Sequence, residues 1–209
     1  MAVGKQFNQF FGKTRFVVCR IFLHLSGAEV TPLLGILNQA TRDAIAAEGD
    51  LQVLGEKLVD VCQALLQFNI YWKTAANEGD VLWDEAEAAD YVDELFTDSA
   101  QRYLSQPDLA QSDLTQPGFS GKASDQAMFS LPATQNLVVM FTIAGEGEIS
   151  ELETNLADPE AMQDALKALI NLHYQGRLRG IQIHFSPAQF GDELTDDQLL
   201  QNFPELVPI

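Results

Sequence analysis

Three histidines, two cysteines and 30 carboxylates are the residues from which this chain could build a reactive centre. Histidines that converge would serve as a general base or as metal ligands. His24 and His184 instead fall in strand-like runs. His173 ends a helical run, where the partial negative charge of the helix terminus favours a cation. Cys19 and Cys62 each lie among apolar residues, with no Cys-x-x-Cys spacing, and read as small buried hydrophobes in a reducing compartment. Cys62 beside a histidine would make a thiolate pair, but it sits within an apolar helical stripe. Asp192-Glu193 and Asp196-Asp197 flank a short last helix. Complementing its dipole is the first reading of these acids and a cation site the second. Their spacing is not that of an EF-hand. The sequence contains no phosphate-cradling GxxxxGK[ST], no HExxH and no GxSxG. Gly145-Glu146-Gly147-Glu148 follows a strand, but its carboxylates would repel a pyrophosphate, so it reads as a turn. No catalytic residue, cofactor or metal ligand is assigned.

Residue types suited to binding are more evident. The net charge is −18, yet the first four bases, Lys5, Lys13, Arg15 and Arg20, precede every acid. The body is therefore more acidic than the total suggests. It repels phosphate backbones, which excludes nucleic acid as a partner. The N-terminal arm, residues 1–14 with Lys5, Phe7, Phe10, Phe11 and Lys13, and Arg15 just after it, carries a basic and aromatic pattern. Such a pattern suits peripheral contact with an anionic membrane or with an acidic protein. Farther on, Trp72, Trp83, Asp84, Glu87, Asp90, Tyr91 and Glu94 combine carboxylates with aromatic residues, the types that anchor protein interfaces. The bland reading of that stretch is a solvated face with aromatics sealing the core.

Elements must position these groups. Phe16–Leu25 is β-branched and aromatic, as a strand requires. Broken by Arg20 and His24, it is well short of the ~20 residues of a spanning helix. It also lacks the small-residue cleavage site of a signal peptide. Thr31-Pro32 reads as a helix N-cap and first residue. Gly49-Asp50 separates that helix from a second, which runs to about Tyr71. The segment from Gly79 to Tyr103 reads as an acidic helix with Leu82, Ala86, Ala89, Val92 and Phe96 inward. Residues 105–135, rich in Pro, Gly and Ser, read as a linker or long loop. Asn136–Ala144 reads as a buried strand. Asp158-Pro159 opens a helix that Gly176 follows, and Leu178–Phe185 alternates as a second strand. Thr195-Asp196-Asp197-Gln198 is a capping box. Such a strand–helix–strand unit predicts a right-handed crossover with parallel strands.

The C-terminal pattern resembles a known family. Strand Leu137–Ile143, helix Asp158–Leu172, strand Ile181–Phe185, the step Ser186-Pro187-Ala188-Gln189 and the ending from Asp192 to Leu206 are similar to a cyanobacterial and plastid domain family that includes the fluctuating-light acclimation protein of chloroplasts. The first part is compatible with it through a strand, two helices and Tyr71-Trp72. The resemblance implies a non-enzymatic role in photosynthetic acclimation near thylakoid or envelope membranes, linked to proton balance.

The expected fold is α+β: about three strands, near 16–25, 137–144 and 178–185, under several helices. Residues 15–104 form a mainly helical part, and 136–209 a β-α-β-α part of the same compact domain. The expected function is an accessory or regulatory protein that binds a protein complex of the photosynthetic membrane, with the chain cytoplasmic or peripheral on the cytosolic thylakoid face. The alternative is a small-molecule or cation-responsive module, or a weak enzyme, with a pocket between the two parts.

Overall fold

The computed structural model describes residues 14–104, 135–188 and 192–209. Among them five strands and five α-helices form a mixed fold around one antiparallel sheet. Strand β1 (Phe16–Ser26) leads through a 3-10 turn into α1 (Thr31–Ala46) and α2 (Leu51–Gln67). Strand β2 (Trp72–Leu82), α3 (Glu85–Leu104), β3 (Asn136–Glu146), α4 (Pro159–Tyr174) and β4 (Leu178–Ser186) follow. Helix α5 (Asp196–Asn202) and the short β5 (Val207–Pro208) close the chain. The sheet order is β4-β3-β1-β2-β5.

The strand β1 is central, and ten of its eleven residues are buried. Both its faces are covered, which is why its sequence is a nearly continuous apolar run rather than an alternation. On one face Val17, Cys19, Ile21, Leu23 and Leu25 join Val139, Phe141 and Ile143 of β3 under α1, α2 and α4. On the other face Phe16 and Val18 meet Ala88, Val92 and Leu95 of α3. Farther along that second face, Phe22 and Met140 meet Leu194 and Phe203 of the C-terminal segment.

The helix starts follow from their caps. The Asp50 carboxylate accepts from the amides of Gln52 and Val53, and Asp158 accepts from those of Glu160 and Ala161. Thr195 and Gln198 form the reciprocal capping box. Each supplies an acceptor to amides that have no partner within the helix. Thr31 differs. It is the first residue of α1 rather than its cap, and its hydroxyl makes no capping bond.

Four expectations are corrected. The sheet has five strands rather than three. The helix α2 stops at Gln67, and the polar run after Tyr71 is β2, whose exposed edge positions hide the alternation. On α3 the inward residues are Ala88, Val92, Leu95 and Ser99, while Ala86 and Ala89 are exposed. Finally, β3 and β4 are antiparallel neighbours, with Gly145 opposite Leu178. The long connection from Gly147 to Asp158 carries the chain away before α4 begins. The helix therefore returns to the end of the sheet where β3 stopped, and β4 starts there.

Candidate functional site

Helix α3 presents its outer side as an acidic surface. Asp84, Glu85, Glu87, Asp90, Asp93 and Glu94 are all exposed, with no base between them in the sequence. Glu78 and Asp80 of β2 continue that surface. Asp84 also holds the helix start. Its Oδ1 accepts from the amides of Ala86 (2.9 Å) and Glu87 (3.2 Å), so it caps α3. Tyr91 is half-buried among these acids. Burial, and then the negative charges of Glu78, Asp80 and Glu94, hold its hydroxyl pKa above the ordinary value.

Of the aromatic residues expected as anchors, Trp83 is 42% exposed, with the Arg15 guanidinium 6.0 Å from its ring centroid. Trp72 is a core residue instead, 8% exposed and packed in the cluster under α1, α2 and α4. Arg15 is bound into the body. It donates to the Gly147 carbonyl (3.0 Å) and grips Glu153, whose pKa it depresses. Lys5, Phe7, Phe10, Phe11 and Lys13 lie outside the described residues, as does nearly all of the 105–135 segment.

Beneath the acidic surface runs a strip of buried polar groups that sequence reasoning missed. Arg20 in the middle of β1 is 3% exposed. Its Nε donates to Glu78 at 2.7 Å, and its Nη1 reaches Asp98 and the Ser99 hydroxyl, the latter at 3.1 Å. Ser99 in turn bonds Thr142 of β3 at 3.2 Å. Arg102 ties Asp98 (2.9 Å) to Glu205 near the C-terminus. Both guanidinium groups lie over the Phe22 ring, 5.1 and 5.6 Å from its centroid. These two arginines hold the Asp98 carboxyl below the ordinary carboxylate value, against the opposing effect of burial. A lone arginine in an apolar run was the only sequence signal. A buried guanidinium must be paired, so that signal pointed to acids elsewhere without saying which.

His24 extends the strip. Its Nδ1 is 3.1 Å from the Thr74 hydroxyl and its Nε2 is 3.1 Å from Asn136 Oδ1. The amide oxygen only accepts, so Nε2 carries the proton and Nδ1 takes the threonine hydroxyl. The Asn136 amide donates to the Leu194 carbonyl (2.9 Å) and to Asp196 (3.2 Å). Burial lowers the pKa of His24, which favours its neutral ring. The Cys19 thiol is pushed up to about 12 by burial, and Cys62 is raised for the same reason. Among the described residues no group of three or more His, Cys, Asp or Glu is placed to hold a metal ion. No described helix is long and apolar enough to cross a membrane.

Between the two parts of the chain lies an apolar groove of about 270 Å³. Leu37, Ala44 and Ile45 of α1 and Leu54 of α2 wall it, and Ile181 and Ile183 of β4 form its floor. Lys57 at its rim is engaged by Asp43 (3.3 Å) and Asp60 (2.8 Å).

No curated protein and no solved structure matches this chain. Residues 15–209, which carry the described sheet, the five described helices and the polar strip, match DUF1517, a family described as proteins of unknown function, and the chain belongs to that family.

Proposed function

We propose that this protein is a non-enzymatic accessory module that binds a basic surface of a protein complex at the photosynthetic membrane. The observation that carries the reading is the uninterrupted acidic surface of α3, Asp84 to Glu94, with Trp83 exposed at its start. Complementary charge of this kind steers encounter and sets specificity. An exposed aromatic supplies contact area at low entropic cost. The assignment to photosynthetic membranes and light acclimation rests on the resemblance of the C-terminal segment. The interior acid–base groups support binding over catalysis, because Arg20 and His24 are consumed in structural bonds and the thiol pKa values are raised.

The test uses the full chain as bait for solubilised photosynthetic membranes, beside a Glu87→Gln/Asp90→Asn/Glu94→Gln variant. Asp84 is left alone because it caps α3. The same complex should be retained by the parent at ~50 mM salt and released at ~0.5 M, where screening is short-ranged. The variant should lose it at both. Equal retention by parent and variant sinks the reading.

A further inference from the structure

Among the described residues β4 is hydrogen-bonded to β3 alone, so its other side is an outer edge of the sheet. Its nine residues contain one charge, Arg179, and that is paired with Glu146. Natural edges are blunted by lysine, proline or a bulge. From Gly180 to Ser186 this strand has none of these. On its first face Ile181 and Ile183, both half-buried, floor the apolar groove, whose wall includes Ile45 at 74% exposure. On its second face Gln182 is half-buried.

We propose that β4 pairs antiparallel with β4 of a second copy of this chain, about a two-fold axis at Gln182, joining the two sheets into one. The strand is self-complementary about that residue. Ile181 meets Ile183 of the second copy and the reverse, so the apolar floor continues across the axis. Gln182 meets Gln182, a neutral pair that sets no like charges face to face at the axis. Gly180 is opposite His184, and the strand's one charge, Arg179, lies at the bulge before this stretch rather than opposite a like charge. A slip of one residue would turn the isoleucines to the wrong face, which the pairing resists. The strand carries no acid, whereas the whole chain carries −18. Salt therefore strengthens this contact by screening the long-range repulsion between copies. That sign is opposite to the one expected for the acidic surface, so the two readings fail separately.

The experiment uses the full chain with Gln182→Cys, oxidised in air with a copper catalyst. Directly opposed antiparallel residues have Cα atoms ~4.5–5.5 Å apart, within the ~4.4–6.8 Å a disulfide spans. A covalent dimer should form at 182. None should form with Arg179→Cys, whose opposite number is residue 185. The native thiols, Cys19 and Cys62, are buried and stay silent. In sedimentation the unmodified chain should dimerise more strongly as salt rises. Ile183→Lys should raise the dissociation constant more than roughly tenfold while circular dichroism still reports a folded chain. If Ile183→Lys does not fold, Gln182→Lys sets like charges face to face at the axis and should weaken the dimer in its place. A monomer at ~100 μM in high salt overturns the proposal. Equal cross-linking at residues 179 and 182, or a dimer indifferent to the lysine substitutions, does so too.

Discussion

The sheet is sealed differently on its two sides. Under α1, α2 and α4 the strands present apolar side chains, with Ile21, Leu23, Phe141 and Leu166 fully buried. Under α3 and the C-terminal segment, the same two central strands contribute Arg20, His24 and Thr142 between Val18, Phe22 and Met140. Apolar contact is non-directional, so it fixes how much surface is hidden more than where each helix sits. Arg20 reaches Glu78 of β2 and both Asp98 and Ser99 of α3, and Arg102 then reaches Glu205. These bonds have direction, so they set the position of α3 and of the chain end against the strands. The acidic surface is carried by the helix that is placed in this way.

Three experiments bear on that contrast. The largest expected effect is on the hydrocarbon side. Phe141→Ala should cost about 3–5 kcal/mol in urea unfolding, since its ring is fully buried and the space cannot close completely. Arg20→Met on the other side should cost about 3 kcal/mol. That is the low end for a broken buried pair, because the Glu78 and Asp98 side chains keep 48% and 44% of their exposure and water still screens them. Adding Glu78→Gln and Asp98→Asn should recover part of the loss by removing the stranded charges. A single-substitution cost below about 1 kcal/mol would erase the contrast between the two sides.

The smallest effect, and the most selective, is on acid sensitivity. Burial depresses the pKa values of His24 and His184, so each ring takes up its proton more readily when unfolded. Stability should hold above the ordinary imidazole value of about 6.5 and decline as pH falls through it. The slope is at most about 1.4 kcal/mol per pH unit for each histidine. A second decline should begin in the ordinary carboxylate range, about pH 4, where the unfolded chain takes up protons, and continue below it until Asp98 and Glu153 lose their arginine-bound charge. Thermal melts between pH 7 and 5 should therefore flatten with His24→Gln and keep their slope with Leu166→Ala. An unchanged slope in the His24 variant would place the sensitivity elsewhere.

Much of the hydrocarbon side is legible in the residues themselves. The apolar runs of β1, β3 and β4, the stripes of α1, α2 and α4, and the caps at Asp50, Asp158 and Thr195 all follow from local spacing. The polar side is legible only in pieces. The run Lys73–Asp80 has too few apolar residues to show a period of two, so by pattern β2 merges with the helices around it. With β2 absent, Glu78 cannot be set beside Arg20, nor Thr74 beside His24. Both contacts arise from cross-strand register, which no single stretch of sequence contains. The acidity of α3 is plain, but its inward face is displaced. Ser99, a polar residue, occupies a buried position there and interrupts the apolar stripe.

The place of β1 in the sheet has a consequence for synthesis. Of the five described strands this one is made first, yet it lies in the middle, and its neighbours are Trp72–Leu82 on one side and Asn136–Glu146 on the other. Until the ribosome has delivered β3, an eleven-residue, largely apolar strand stands with at least one open flank. Contacts so distant along the chain slow folding through the entropy of closing the intervening loops. The nascent protein therefore passes through a stage in which the most apolar of its described strands is the least protected.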